Sequence, residues 1–472
     1  MFEKLFKLKE HGTKVRTEIV AGITTFMTMA YIIFVNPDIL SAAIDTPNAF
    51  TAIMTATILS AAVTTILMGL VTNYPFALAS GMGLNAFFAF SVVLGLGASW
   101  QAALGAVVIS GTVFFILAIT GAIDWIDAAV PASLKKAVAA GIGLFIALIG
   151  FSNAGIIVQG QGTIVSLGDI ASPPVFLAVL GLIITAILMA ARVRGAILLG
   201  ILITTVLGWF FPSAAAYAAG APFIGWFWGV GPEAYGLAED VAVTVTSIPT
   251  GLKSFISLDI ASNFKALGEI AFKFDLAAAL KLGFITIFSL VFVDLFDTMG
   301  TVLGTGARAG YLDEKGRLPK IKQIMMVDAV GTVFGGLLGT STVTTYVEST
   351  AGVSEGGRTG LTAVVVGILF LLALFFTPLA GMVPGAATAP ALIIVGVLMM
   401  GAVTGINFED FTEAFPAFLT IVFMPFAYSI ASGIAAGFIS YPIVKLVSGK
   451  GKEVHWLVYI LALASLLHFI AH

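Results

Sequence analysis

The chain is built of apolar blocks of about 15 to 24 residues separated by short polar or Gly/Pro-containing joints, a length that as helix crosses the roughly 30 Å hydrocarbon core of a bilayer. That spacing leaves few alternatives to a polytopic membrane fold. Composition agrees: 59% of the 472 residues are hydrophobic and 10% are charged, against roughly 45 to 50% apolar and about 25% charged in soluble domains. The mean hydropathy is +1.08. We read about 14 transmembrane blocks, at 17–36, 49–72, 76–95, 98–121, 134–152, 174–191, 196–211, 282–304, 323–338, 341–354, 361–380, 387–404, 413–430 and 432–447.

The charged segment 1–16 runs directly into the first block without a small-residue cleavage site, so it reads as a retained cytoplasmic lead. With the N-terminus inside, every Lys and Arg except Lys253, Lys265, Lys273 and Lys281 falls on one side of the membrane. Those four lie in or at the end of a long extracytoplasmic segment, 212–281, and long loops largely escape the positive-inside rule. The expected location is the plasma or inner membrane, with the N-terminus cytoplasmic. The tail 448–472 holds one more apolar block, 455–471, which either lies in the interface or adds a span. The tryptophans fall near block ends or in loops, as interfacial indoles do.

Several chemistries are excluded. There is no cysteine, so no disulfide, Cys-ligated zinc or iron–sulfur cluster. His11, His455, His468 and His472 sit near the ends, which speaks against a buried histidine metal site. No Walker-type loop or basic face is present, so neither ATP-driven transport nor nucleic-acid binding is expected. No cofactor or metal is expected.

An internal repeat runs through the chain. Ala61–Tyr74 (AAVTTILMGLVTNY) aligns without gaps on Asp328–Ser341 (DAVGTVFGGLLGTS). Leu104–Pro131 resembles Leu361–Pro384, and the stretch from Arg194 echoes the one from Ser432. Seven spans per copy is odd, so the second copy must run inverted, a signature of secondary transporters whose substrate sits near the midplane between broken helices. The third and tenth blocks are the candidates: NYPFALASGMGLNAFFAF from Asn73 and GTSTVTTYVESTAGVSEGGRTG from Gly339 are interrupted by Gly, Ser and Thr. Exposed backbone at such breaks survives in a membrane only against a cavity or other protein.

Three acids lie within these central blocks, each costing on the order of 2.5 to 3.5 kcal/mol in hydrocarbon without a partner. Asp294 and Asp297 are three residues apart, which puts them on one helix face toward the interior, with no basic residue in the same span. Glu348 sits in the broken tenth block among hydroxyl residues that include Thr344. A carboxylate can load a proton, or accept two hydrogen bonds from adjacent N–H groups of a planar heterocycle. Asn85 offers a donor and an acceptor from the third block, and Phe87, Phe88 and Phe296 could stack on a ring, although lipid or core packing is the plainer reading of the phenylalanines. Asp328 starts the ninth block near Lys320 and Lys322 and is expected at the cytoplasmic surface, with Glu355 and Arg358 as a span-end pair.

The stretches VRTEIVAGITTFMTMAYIIFVNP from Val15, ASGMGLNAFFAF from Ala79, VDLFDTMGTVLG from Val293 and TSTVTTYVESTAGVSEGGRTG from Thr340 resemble the AzgA-like purine permeases of the nucleobase and ascorbate transporter superfamily. The resemblance spans nearly the whole chain and is weakest over 212–281. It implies an all-α fold of two inverted seven-span repeats. Spans 1–4 and 8–11 would form a core domain (17–121 and 282–380) and the others a gate domain (134–211 and 387–447). It further implies uptake of hypoxanthine, guanine or adenine with protons, a substrate held between the short strands of spans 3 and 10, and a homodimer through the gate domains. By motif match the family's functional asparagine falls on Asn85, its span-8 acids on Asp294 and Asp297, and its span-10 glutamate on Glu348. The expected mechanism is an elevator-like slide of core against gate, with Glu348 holding the base, Asp294, Phe296 and Thr344 beside it, and Asp294, Asp297 and Glu348 linking protonation to binding.

Rival readings are an anion transporter on the same fold, which would need a positive binding centre, an intramembrane hydrolase using the Asp294/Asp297 pair, and a channel. An enzyme is not expected, because a catalytic aspartate pair normally comes from facing elements.

Overall fold

In a computed structural model the described residues are 2–239, 241–313 and 318–471. Met1, Asp240, Glu314, Lys315, Gly316, Arg317 and His472, which belong to the lead, the long segment, a basic loop and the tail read above, lie outside them.

The apolar blocks become helices. A short α1 (Phe2–Phe6) precedes α2 (Val15–Met29) and α3 (Ile32–Ser41), one block broken at Ala30 and Tyr31. Next, α4 (Ala49–Thr72) closes on Asn73, whose φ of 60° is left-handed. The third block does not form a single helix: strand β1 (Leu78–Ser80) leads into α5 (Met82–Ala86) and a wider helical turn that continues to Gly95. Ser99 caps α6 (Trp100–Thr120) by accepting from the Ala102 amide. After α7 (Ala122–Ala129) come α8 (Ala132–Asn153), the hairpin β2 (Ile157–Val158) and β3 (Ser166–Leu167), α9 (Pro173–Ala190) and α10 (Ala196–Leu207). Among its described residues, segment 212–281 holds three short α-helices, α11 (Ala214–Ala218), α12 (Ile260–Leu267) and α13 (Leu276–Lys281), and two single 3-10 turns.

Helices α14 (Phe284–Ala309) and α15 (Ile321–Leu338) precede β4 (Val343–Thr345) and a six-residue helix, α16 (Ser349–Ser354). Then follow α17 (Gly360–Ala373), α18 (Thr377–Met382), α19 (Gly385–Met400), α20 (Phe411–Phe426) and α21 (Ile430–Val447). The tail block whose place the sequence leaves open is a helix, α22 (Trp456–Ala471), packed on α21. Among the described residues, 10 helical segments are long and apolar enough to cross a membrane, and the chain is a multi-pass membrane protein. Shorter apolar helices include Met82–Gly95, Ala196–Phe210 and Phe411–Phe426.

Packing sorts the helices into two groups. In one, α4 lies along α17 and α15 along α6, with α2, α3, α14 and α16 around them. In the other, α8 lies along α19, flanked by α9 and α10 on one side and by α20 and α21 on the other. Without a hydrophobic drive between helices in lipid, close approach depends on small residues at the crossings. Gly69 meets Gly360 where α4 crosses α17, and Gly143 meets Gly396 where α8 crosses α19. A Cβ on Gly396 would stand 2.8 Å from the Ala147 Cβ and 2.5 Å from the Gly143 carbonyl oxygen, whereas one on Gly401 would meet nothing within 4 Å.

The same change at these two glycines therefore separates crowding from propensity. Gly396→Ala is expected to destabilise by about 1 to 3 kcal/mol, and Gly401→Ala to leave the thermal melting of the detergent-solubilised protein unchanged or raised. Equal melting of both variants would contradict this close crossing.

Candidate functional site

The two broken segments meet at strands β1 and β4, which pair antiparallel with Leu78 opposite Thr345, Ala79 opposite Thr344 and Ser80 opposite Val343. All six residues are buried. A two-stranded pair exposes backbone groups on both outer edges, and in a membrane interior each needs a partner. Threonines on the preceding helices supply several. Thr65 of α4 donates to the Leu78 carbonyl (3.0 Å) and accepts from the Leu78 amide (2.9 Å). Thr332 of α15, its counterpart in the aligned repeat, reaches the Val343 carbonyl (3.1 Å). The Tyr346 hydroxyl donates to the Ser80 carbonyl (2.5 Å), the Gly81 amide to the Thr342 carbonyl (3.0 Å), and the Tyr346 amide to the Ala77 carbonyl (2.9 Å).

Beside this crossing lies a cavity of about 490 Å³ between the two helix groups, within the roughly 300 to 1,000 Å³ usual for small-molecule sites. Gly83 and Leu84 of α5, Phe296 and Asp297 of α14, and Val347 and Glu348 ahead of α16 form one wall. Val138 and Ile142 of α8 and Val395 and Met399 of α19 form the other. Gly83 is required at that boundary, since a Cβ there would stand 2.5 Å from the Ile142 side chain. Glu348 is oriented by Tyr31, whose hydroxyl donates to its Oε1 at 2.7 Å. The same N-terminal block ties down the far side of α16. The buried Glu18 carboxylate accepts from the Arg358 amide (2.9 Å) and from the Thr359 and Thr362 hydroxyls (2.9 and 2.6 Å), capping the start of α17.

Of the residues singled out from sequence, Glu348, Asp297 and Phe296 line the cavity. Asn85, Asp294 and Thr344 are buried behind it. The Asn85 Oδ1 accepts from the Ser341 hydroxyl, linking the third block to the loop before β4, and its Nδ2 has no partner. Thr344 shares a hydrogen bond of 2.7 Å with Thr298.

Three expectations are corrected. Asp294 and Asp297 do not act as one face: Asp297 opens to the cavity, whereas Asp294 turns to α15 and accepts from Thr332 at 2.7 Å. Asp328 is not at the surface but wholly buried, accepting from Thr345 at 2.8 Å, because it begins the side of α15 that packs on β4. Glu355 pairs with Arg194 at 2.6 Å, not with Arg358, whose guanidinium turns back onto the Val353 and Gly357 carbonyls. Phe87 and Phe88 are core residues, in line with the plainer reading of the phenylalanines.

The span holding Asp294 and Asp297 has no basic residue of its own up to the site, but another helix, α8, brings two there. Lys135 and Lys136 reach the rim, with the Lys135 Nζ on Asp127 at 2.5 Å and 5.2 Å from the Phe296 ring centre. Sequence reading missed Tyr31 and Lys135. For Tyr31 a signal existed, a hydroxyl in the middle of an apolar block; Lys135 lies at a block end, where a lysine is unremarkable.

Comparison with known proteins places these features. The family model Xan_ur_permease, described as a permease family, matches residues 16–436. The adenine permease AdeP of Escherichia coli (strain K12) is 44% identical over 473 residues, covering 100% of this chain and 96% of that permease. The guanine/hypoxanthine permease PbuG of Bacillus subtilis (strain 168) is 44% identical over 472 residues, covering 98% of each. Among solved structures, the transmembrane domain of the cyanobacterial bicarbonate transporter BicA superposes with a TM-score of 0.58 at 14% identity, over 89% of this chain and 97% of that one. SLC26A9 does so with 0.58 at 11% identity, over 95% and 67%. The fold is that of this transporter group.

The absence of cysteine makes accessibility directly testable. Single-cysteine variants at Asp297 and Glu348 are expected to react with a hydrophilic thiol reagent at least about tenfold faster than variants at Asp294 and Asp328, since reaction requires access. Comparable rates at all four positions would contradict the separation of cavity from buried acids.

Proposed function

The chain belongs to the Xan_ur_permease family of permeases, and from that premise we propose that it imports purine nucleobases by proton symport. The observation that carries this reading is Glu348, held by Tyr31 in a cavity between two helix groups and accompanied there by Asp297. Carboxylate oxygens accept from neighbouring N–H groups of a base, and Gly83 and Leu84 in the first turn of α5 lie in the same cavity wall. Phe296 and Val347 supply apolar surface for the ring. Hypoxanthine, guanine and adenine all suit this chemistry, and the names of AdeP and PbuG agree with the substrate class.

The two helix groups are the proposed core and gate, and the cavity between them is where an elevator-like slide would carry the base. Reciprocal packing supports two inverted repeats of seven spans each: α4 on α17 mirrors α15 on α6, and α8 on α19 is its own mirror. Thr65 and Thr332, matched by the sequence repeat, each bond the first carbonyl of the following strand. The basic loops support an N-terminus inside the cell membrane, which puts the Lys135 rim and the cavity mouth on the cytoplasmic side. Structural likeness to anion transporters concerns the fold. Here the cavity lining carries three carboxylates, Asp127, Asp297 and Glu348, against two lysines, of which Lys135 is paired with Asp127 and Lys136 donates to the Gly405 carbonyl, which disfavours an anion.

Uptake of radiolabelled hypoxanthine, guanine and adenine into proteoliposomes, with and without an inward proton gradient, tests the reading. Gradient-stimulated accumulation of at least one base is expected. Glu348→Gln is expected to lower uptake by roughly 10- to 150-fold, the equivalent of a charge-assisted hydrogen bond of about 1.5 to 3 kcal/mol, without loss of folded protein. Normal, proton-driven uptake by that variant would remove Glu348 from the role.

A further inference from the structure

We propose that Asp328 is the second acid of the coupling-proton site, holding one proton jointly with Asp294 behind strand β4. The inference rests on the proton-symport reading above. Asp328 and Asp294 are 0% and 1% exposed. Asp328 lies one turn before Thr332 on α15, and residues at that spacing are neighbours on one helix face. The Thr332 hydroxyl stands 2.7 Å from Asp294 Oδ2, so the two carboxyls flank the same threonine. Each carboxyl has one oxygen on a threonine, Asp294 Oδ2 on Thr332 and Asp328 Oδ1 on Thr345. The other two, Asp294 Oδ1 and Asp328 Oδ2, are buried without a partner.

Counting hydroxyl protons shows what is missing. Thr332 has one, with two acceptors in reach: Asp294 Oδ2 at 2.7 Å and the Val343 carbonyl at 3.1 Å. An ionised Asp294 competes with Val343 for it. A protonated Asp294 instead donates to Thr332, which then donates to Val343, and both contacts become hydrogen bonds. The hydroxyls of Thr298 and Thr344 flank the pair, but their mutual bond at 2.7 Å leaves one proton for two unpartnered oxygens. One added proton on Asp294 satisfies the Thr332 and Val343 contacts together and halves the charge that the two remaining oxygens share.

No other positive charge is at hand among the described residues. Helices α4 and α6 and strands β1 and β4, which pack against α15, contain no charged residue. Asp297 on α14 and Glu348 beyond β4 add negative charge. Arg308 is about four turns further along α14, Lys320 donates to the Thr72 carbonyl and Lys322 to the Ile119 carbonyl. Two buried carboxylates without a counter-charge are strongly disfavoured, and a proton is the smallest cation that relieves them. In the import direction the pair takes one H⁺ from outside when the cavity opens there, which reduces it from two negative charges to one; release to the cytoplasm reverses it. Because Thr332 can serve Val343 only when Asp294 is protonated, occupancy is communicated to β4 at Val343, three residues before Tyr346 and five before the base-binding Glu348.

Two measurements on Asp328→Asn and Asp294→Asn in proteoliposomes decide the matter: exchange of labelled base without a gradient, and accumulation with the interior alkaline by roughly one pH unit, which for one proton drives at most about tenfold accumulation. Asp328→Asn is expected to exchange base at near wild-type rates, and both variants are expected to accumulate none. Gradient-driven accumulation by Asp328→Asn equal to wild type overturns the proposal. Should that variant yield no folded protein, Thr345→Val decides: it removes a donor from the ionised form, so the pH midpoint of accumulation is expected to move to higher pH, and an unmoved profile overturns the proposal. Accumulation driven by sodium at equal pH, and lost in the same variants, overturns the proton as the cation. Wild-type protein that exchanges base yet ignores the pH gradient removes proton coupling itself, and one that moves no base removes the substrate; neither outcome depends on Asp328.

Discussion

Backbone polarity in a medium without water is the constraint on which this structure depends. Six strand residues, Leu78–Ser80 and Val343–Thr345, sit in the middle of the molecule with amide and carbonyl groups that no helix satisfies. Their pairing settles one edge of each strand, and the other edges rely on side chains: Thr65, Ser349 and Tyr346 for the first half, Thr332 for the second. Threonine suits the task because its short hydroxyl reaches backbone without a charge to desolvate. Breaking two blocks in this way costs helical hydrogen bonds, but it brings side chains from the first, third, eighth and tenth blocks together at one depth.

The arrangement also separates what must bind from what must hold. Glu348 and Asp297 are open to a cavity shared by both helix groups, so a ligand there touches both bodies. Asn85, Asp294 and Asp328 lie entirely within one group, and Thr332 and Thr345 connect the two aspartates to β4. Such a division fits the proposed transport cycle, in which a base site between two bodies has to respond to a charge stored inside one of them. Gly83 against Ile142 keeps that boundary narrow without polar links that would lock it.

Much of the fold was legible because a single force dominates it. Blocks of apolar residues had to be helices, and limits such as Ala49–Thr72 followed from composition. The gapless match of Ala61–Tyr74 with Asp328–Ser341 identified equivalent threonines before their contacts were known. The site was legible in part. Glu348 and Asp297 stood out as acids in apolar blocks, but that rule says only that an acid needs a partner. Asp328 was misplaced because proximity to Lys320 and Lys322 in the chain suggested a surface, while both lysines turn to backbone carbonyls elsewhere. Tyr31 and Lys135 come from blocks distant in sequence, and no local pattern joins them to Glu348 or Phe296.

By itself the sequence determined that this chain enters a membrane, where its helices run, which blocks break and that charged groups are stranded in apolar surroundings, because hydrophobic length and the cost of burying charge are local properties of the chain. Only the tertiary structure decided which acid faces a cavity and which faces a threonine. Asp294 and Asp297 share one helix and one chemistry, yet one is sealed against α15 and the other is open. That difference arises from how helices from both halves pack around the crossed strands, a relation between residues up to hundreds of positions apart, on which helical periodicity within one block carries no information.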